Sequence, residues 1–250
     1  VEPGQLAIVL SIGGVIALGS MLQSAAGFGF ALFAVPLLVA LGCRSYEAII
    51  VVSIGAAAQS LVGVIVLRRH VRWRRVLAMI ALACVAQPVG VAVLGVLAEQ
   101  DRSVVRRVFG GIVLLALLVQ VTFRIEPRQR LPAGAMVVAM LTSGFMGGVA
   151  AMSGPPAVMW VMAHRWSNPE SRATLWAFFG GTTPVQMLWL WREFGPPVVD
   201  AMGLAAMLLP ATFIGLLPGL WLGHRISKPR LRVIAMLILT GAALYALLWP

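Results

Sequence analysis

Charged side chains are scarce in this chain. They make up 11% of its residues, against about a quarter in a soluble domain, which excludes an ordinary water-soluble globular protein. Cysteine is scarcer still. Cys43 and Cys84 stand alone in apolar or loop-edge contexts without metal-ligand spacing, so nothing supports a disulfide framework or a cysteine metal centre. Buried acid is missing too. Glu2, Glu47, Glu99, Asp101, Glu126, Glu170, Glu193 and Asp200 all fall in loops or at the ends of apolar runs. No carboxylate is therefore expected deep in a span, where proton relays place one. The opening "VEPGQLAIVL" holds only Glu2 as a charge, so a cleavable signal peptide with a basic leader is not expected, and the absence of Met at position 1 points to a trimmed terminus.

What is present is apolar. Hydrophobic residues make up 60% of the 250, and runs such as Ala48 to Leu67 and Val76 to Leu97 are long enough to cross a hydrocarbon core of ~30 Å. The chain reads as an all-α polytopic membrane protein. Its net charge of +11 sits in short loops between the runs, where basic residues set topology; the lipid bilayer, not nucleic acid, is the expected partner. The run "RRHVRWRR" at Arg68 to Arg75 reads as an interfacial anchor with a belt tryptophan.

Sliding the chain on itself by half its length places Gly19, Gly29, Gly55 and Gly90 on Gly144, Gly154, Gly180 and Gly215. This predicts two repeats, 1–125 and 126–250. The first holds a long segment at 5–41 and spans at 48–67, 76–97 and 108–123. The second holds a long segment at 133–166 and spans at 173–191, 201–222 and 233–248. If each long segment crossed the membrane once, Lys and Arg would divide almost evenly between the two sides. If each is a helix–break–helix hairpin returning to its own side, fourteen of the 19 fall together: Arg68, Arg69, Arg72, Arg74, Arg75, Arg124, Arg128, Arg130, Arg165, Arg172, Arg225, Lys228, Arg230 and Arg232. Arg44, Arg102, Arg106, Arg107 and Arg192 remain opposite. Positive-inside bias selects the hairpin arrangement. Five elements per half is an odd number, so the second repeat is expected inverted, a recurring plan of secondary transporters.

The breaks fall in "QSAAGFGFALFAVP" (Gln23 to Pro36) and "GGVAAMSGPP" (Gly147 to Pro156). After each break a new helix begins, and its first N–H groups lack an intrahelical acceptor while the macrodipole places partial positive charge there. An anion satisfies such donors. Gly27 and Gly29 permit close approach of backbone to ligand, and Pro155 and Pro156 suit a first helical turn while removing two donors. Gln23, Ser24 and Ser153 add side-chain donors, Gly154 a backbone donor, and Phe28 reads as either core filler or a pocket wall. In "GGTTPVQ", Pro184 frees a helical carbonyl, which brings in Thr182, Thr183 and Gln186. The expected substrate-binding set is thus Gln23, Ser24, Gly27, Phe28, Gly29, Ser153, Gly154, Pro155, Thr182, Thr183 and Gln186, around a small anion and with no cofactor or metal. Gln59 and Gln87 read as interhelical hydrogen-bonding residues, and Gly19, Gly55 and Gly144 as helix-packing residues.

With "GSMLQSAAGFGFALFAVPLL" (Gly19 to Leu38) and "GFMGGVAAMSGPPAVMW" (Gly144 to Trp160), the chain resembles the sulfite exporter TauE/SafE family. That resemblance implies a multi-pass protein of the bacterial cytoplasmic (inner) membrane exporting sulfite, an organosulfonate or a related sulfur oxyanion. An anion channel, and a sodium- or proton-coupled importer of a small organic anion, are the competing transport classes. An enzyme is not expected. An intramembrane serine protease would need a histidine base near Ser153, but His70, His164 and His224 lie at loops or span ends, and Ala151 replaces the first glycine of a G-x-S-G pattern. The sequence leaves the oligomeric state open.

The charge split predicts that both termini and Arg44, Arg102 and Arg192 face the periplasm, while Arg68 to Arg75, Arg124 to Arg130 and Lys228 to Arg232 face the cytoplasm. Single-cysteine accessibility labelling checks this, and labelling of the Arg72 region from outside would contradict it.

Overall fold

The computed structural model describes residues 3–122, 131–226 and 228–248; Glu2 and the basic cluster Arg124 to Arg130 lie outside them. Among the described residues the architecture is helical: α1 (Pro3–Ala26), α2 (Phe30–Ala40), α3 (Ser45–Leu67), α4 (Trp73–Ala98), α5 (Arg102–Thr122), α6 (Ala133–Ala150), α7 (Gly154–Met162), α8 (Asn168–Phe194), α9 (Pro197–Arg225) and α10 (Lys228–Leu248). A short 3-10 turn at Arg68–His70 follows α3.

The helices outrun the apolar segments because capping residues extend them. Glu47 accepts from the Arg44 N–H at 2.9 Å and closes the start of α3. At α8, Ser167 and Glu170 form a reciprocal capping box and a proline sits in the first turn, so the helix begins well ahead of its apolar run. Among the described residues, five helices (α1, α3, α4, α5 and α9) are long and apolar enough to cross a membrane. α8 has the length but not the composition: its threonines, glutamine and charged ends lower its hydropathy, while Ala173 to Phe179 are buried. The outward surface is apolar instead, with Val85, Leu115, Met207 and Leu217 exposed, as lipid rather than water requires.

The first break separates α1, a helix of 24 residues, from α2, of 11; the second separates α6, of 18, from α7, of 9. At about 1.5 Å per residue, each break follows a long arm and precedes a short one. α1 packs on α9 and α6 on α4; α3 packs on α9 and α8 on α4; α2 packs on α10 and α7 on α5; and α3 meets α8 as α5 meets α10. Exchanging each helix for the one five places along leaves this pairing unchanged. α3 and α8 run antiparallel: Tyr46 at the start of α3 stacks on Phe194 at the end of α8, centroids 4.8 Å apart, and Arg72 beyond the end of α3 pairs with Glu170 at the start of α8 at 2.7 Å.

Glycine sets the two long-arm crossings. A Cβ on Gly144 of α6 would lie 2.0 Å from the Ala83 carbonyl oxygen of α4, and one on Gly215 of α9 would lie 1.9 Å from the Ala17 carbonyl oxygen of α1. Backbone rests on backbone there, as small residues allow in membranes. Gly19 and Gly55 serve packing as well: a Cβ on either would meet the ring of Phe30, at 2.6 and 3.1 Å. Gln59 donates to the Ser20 carbonyl at 3.0 Å and Gln87 to the Thr182 carbonyl at 3.3 Å, so both bridge helices as their type predicts.

Gly144→Leu and Gly215→Leu should each prevent stable assembly, because the obstructing atoms are main-chain. Fluorescence-detected size exclusion after detergent extraction should show loss of the monodisperse peak, whereas Gly13→Leu, where a Cβ meets nothing within 4 Å, should retain it.

Candidate functional site

Both breaks open onto one cavity of about 50 Å³, lined by Gln23, Phe28, Gly29, Ala31, Leu32, Val52, Ser53, Ala56, Ala151, Met152, Ser153, Gly154, Pro155, Phe179, Thr182, Thr183 and Gln186. A buried water needs roughly 10–15 Å³ of such space, so the cavity accommodates about three to five waters or one small oxyanion. The two breaks touch across it: a Cβ on Gly154 would lie 3.9 Å from that of Phe28 and 3.9 Å from the Phe179 ring.

The wall from the first break is rich in donors. α1 ends with the Gly27 N–H donating to the Gln23 carbonyl at 2.7 Å, and the ladder of α2 starts with the Phe33 N–H donating to the Gly29 carbonyl at 3.0 Å. The N–H groups of Phe30, Ala31 and Leu32 therefore precede the first helical bond, and no side chain caps them. Gln23 adds the decisive group. It is 5% exposed, lines the cavity, and its amide nitrogen Nε2 makes no hydrogen bond within the described protein. Leaving a buried donor unmet costs about 1–3 kcal/mol. Gly29 holds the turn at φ +112° with Leu239 Cδ1 3.8 Å from an added Cβ; conformation, not space, demands glycine there.

The wall from the second break is poor in donors. α6 closes on Ala151 in the left-handed region (φ 57°), with the Ala151 N–H reaching the Gly147 carbonyl and the Met152 N–H the Met146 carbonyl, an αL-type end. α7 starts with Gly154, then Pro155 and Pro156, and the Ser153 hydroxyl makes no capping bond. The Ser153 carbonyl accepts from the Ser143 hydroxyl. From α8, Thr182 and Thr183 both donate to the Phe179 carbonyl, at 3.1 and 3.0 Å, so their hydroxyls turn lone pairs outward. Gln186 is a strap: its Nε2 donates to the Gly147 carbonyl at 2.8 Å and its Oε1 accepts from Ser53 at 3.1 Å.

Of the residues expected at the site, the cavity brings together Gln23, Phe28, Gly29, Ser153, Gly154, Pro155, Thr182, Thr183 and Gln186. Ser24 and Gly27 are outside its wall. The Ser24 hydroxyl donates back to the Ser20 carbonyl at 2.8 Å and lies against α9, 1.9 Å from where a Cβ on Gly219 would stand. Gly27 terminates α1 at φ +87°. The carbonyl freed by Pro184 belongs to Gly180, which packs on Ser60 and is not a lining residue. Ser53, Val52 and Ala56 of α3 escaped the sequence reading, although a buried serine in an apolar helix was a signal that could have pointed to Ser53.

A second hollow of about 260 Å³ lies at one end of the molecule, where the turns after α2 and α4 meet, lined by Cys43, Arg44, Tyr46, Gln100 and Arg102 among others. Cys43 and Cys84 are free thiols. Burial, with help from Glu47, pushes the Cys43 thiol up to about 11, so it stays protonated and a poor nucleophile near neutral pH. No group of His, Cys, Asp and Glu that could hold a metal occurs among the described residues.

A scan against protein-family models matches residues 12–246 to the family described as Sulfite exporter TauE/SafE, and the chain belongs to that family. Searches of the curated proteins and of the solved structures found no match.

Because Gly29 sits at φ +112°, Gly29→Ala should destabilise the protein by about 1–3 kcal/mol despite the open space beside it. Thermal unfolding in detergent measures this, with Gly241→Ala, at a helical site where an added Cβ meets nothing within 4 Å, as the comparison that should not destabilise.

Proposed function

We propose that this member of the sulfite exporter family is a secondary transporter that exports a small sulfur-containing oxyanion, sulfite or an organosulfonate, across the bacterial cytoplasmic membrane. The observation that carries the proposal is the unpartnered Gln23 amide nitrogen in the same cavity as the uncapped start of α2. An oxyanion placed there accepts from Gln23 and from the first N–H groups of α2, and each such charge-assisted bond is stronger than a neutral one. Ser153 and Gly154 close the anion from the other break, and Phe28 and Phe179 exclude water. The cavity volume favours a sulfite-sized ligand over a long-chain sulfonate.

The transport framework is two inverted repeats, 1–125 and 126–250, each a helix–break–helix hairpin followed by three spans. The antiparallel meeting of α3 with α8 and the pairing of helices five places apart support it. Rocking of the repeats around a fixed central site would then expose the anion alternately to each side.

The direction follows from voltage. An anion leaving a negative interior gains ~2.3 kcal/mol per charge for every 100 mV, enough to sustain a gradient of about fiftyfold per charge at 1.4 kcal/mol per tenfold. Export therefore needs no coupling ion, in keeping with the absence of carboxylates from the cavity wall.

Reconstituted vesicles with a potential set by potassium and valinomycin should show sulfite flux that follows the sign and size of the voltage without a proton or sodium gradient. Flux that vanishes when either ion gradient is removed would replace uniport with coupled transport. Gln23→Leu should weaken sulfite binding by about 1.5–3 kcal/mol, and Ser153→Ala by about 1–2 kcal/mol, both read by the concentration dependence of thermal stabilisation. Unchanged affinity in both would move the site elsewhere.

A further inference from the structure

The first break holds two opposing helix ends. α2 offers its positive N-terminus, but α1 delivers its negative C-terminus to the same turn, at Gln23 to Ala26. Each end carries about half a charge of opposite sign, so a bare break is close to electrically neutral. Nothing about it alone favours a dianion.

Arg172 changes that balance. On the second turn of α8, it donates from Nη2 to the Ser24 carbonyl at 3.3 Å, one residue from Gln23 of the cavity wall. Its guanidinium lies over the Trp176 ring, 5.1 Å from the centroid, and Trp176 is locked over Gly63 of α3, where an added Cβ would stand 1.2 Å from the ring. The carboxylates of α8 are committed elsewhere: Glu170 to Arg72 at 2.7 Å, and Glu193 against Gly95 at the far end of the helix. Arg172 thus brings a full positive charge to a neutral acceptor. The second break is treated differently, since the α6 carbonyl of Gly147 receives two neutral donors, the Ala151 N–H and the Gln186 amide.

We propose that Arg172 is a specificity-determining residue of the candidate anion site, acting through α1: by neutralising the C-terminal carbonyls of α1 it leaves the break with net positive charge and favours anions of higher charge. This rests on the anion-site reading above. Arg172 need not touch the substrate. Its influence is electrostatic, so it scales with ligand charge, and a factor lost for a monoanion is squared for a dianion at the same place.

The test compares Arg172→Gln, which keeps an N–H for the Ser24 carbonyl but loses the charge, with Arg172→Lys, which keeps the charge. Binding of methanesulfonate, a monoanion, and of sulfite at mildly alkaline pH, where it is largely a dianion, is measured by isothermal titration calorimetry on purified full-length protein. Arg172→Gln should lose about tenfold in affinity for methanesulfonate and about a hundredfold for sulfite, while Arg172→Lys stays within a few-fold of the parent for both. Equal losses for the two ligands, or equal losses in both variants with lowered melting temperature, would make Arg172 a strut and overturn the proposal. Unchanged affinity in Arg172→Gln beside a parent that binds would overturn Arg172 alone. A parent protein that binds neither anion would overturn the anion site itself, and this inference with it.

Discussion

Inside a lipid-facing bundle, a backbone N–H that does not find an acceptor in its own helix must find one in the protein or in a ligand, because no bulk water reaches it. Every feature of the central region of this protein answers that constraint. The C-terminal carbonyls of α1 and α6 are taken by Gly27, Arg172, Ala151, Met152 and Gln186. At α7 the problem is removed covalently, since two prolines replace two donors. At α2 it is left standing: three N–H groups precede the first helical bond, no side chain caps them, and the Gln23 amide beside them is also unmet. Three backbone donors and a side-chain amide thus stand unmet together at the start of α2, a grouping that suits an acceptor-rich ligand.

α8 organises the response. It supplies Gln186 to hold the end of α6, Thr182 and Thr183 to the cavity wall, and Arg172 to the end of α1, while Trp176 wedges against Gly63. One helix therefore reaches both breaks. It also packs antiparallel to α3, which adds Ser53 to the strap through Gln186. On the proposed rocking mechanism, movement of one half against the other would pull on these same bonds, so α8 would link the candidate site to the moving parts.

Much of this was readable in the residues. Two glycines with a glutamine and a serine, and later "MSGPP", interrupt apolar runs so abruptly that helix ends follow from elementary backbone chemistry, and the described helices stop and restart at those places. What escaped was rotational phase. Gln23 and Ser24 are both polar neighbours of a break, but successive residues of a helix point about 100° apart; with Gln23 turned to the cavity, Ser24 faces α9. Thr182 and Thr183 read as candidate site residues beside a proline, yet both spend their hydroxyl protons on the Phe179 carbonyl, the back-bonding open to threonine in a helix. Arg172 was counted among the topology-setting cations because its sequence neighbours are those of a span end. Only the fold shows its side chain turned inward to α1 instead of toward the headgroups. Sequence patterns give where a helix ends; which way its last residues face depends on partners far along the chain.

The central claim is that an oxyanion rests between Gln23 and the start of α2. Selenite, the selenium analogue of sulfite, makes that claim visible, because its heavy atom scatters anomalously. In crystals of the protein soaked with selenite, anomalous difference density should show one selenium peak within hydrogen-bonding reach of Gln23 Nε2 and the Ala31 and Leu32 N–H groups. A selenium peak confined to the hollow beside Arg44 and Arg102, or a central cavity without selenium at saturating selenite, would contradict the account.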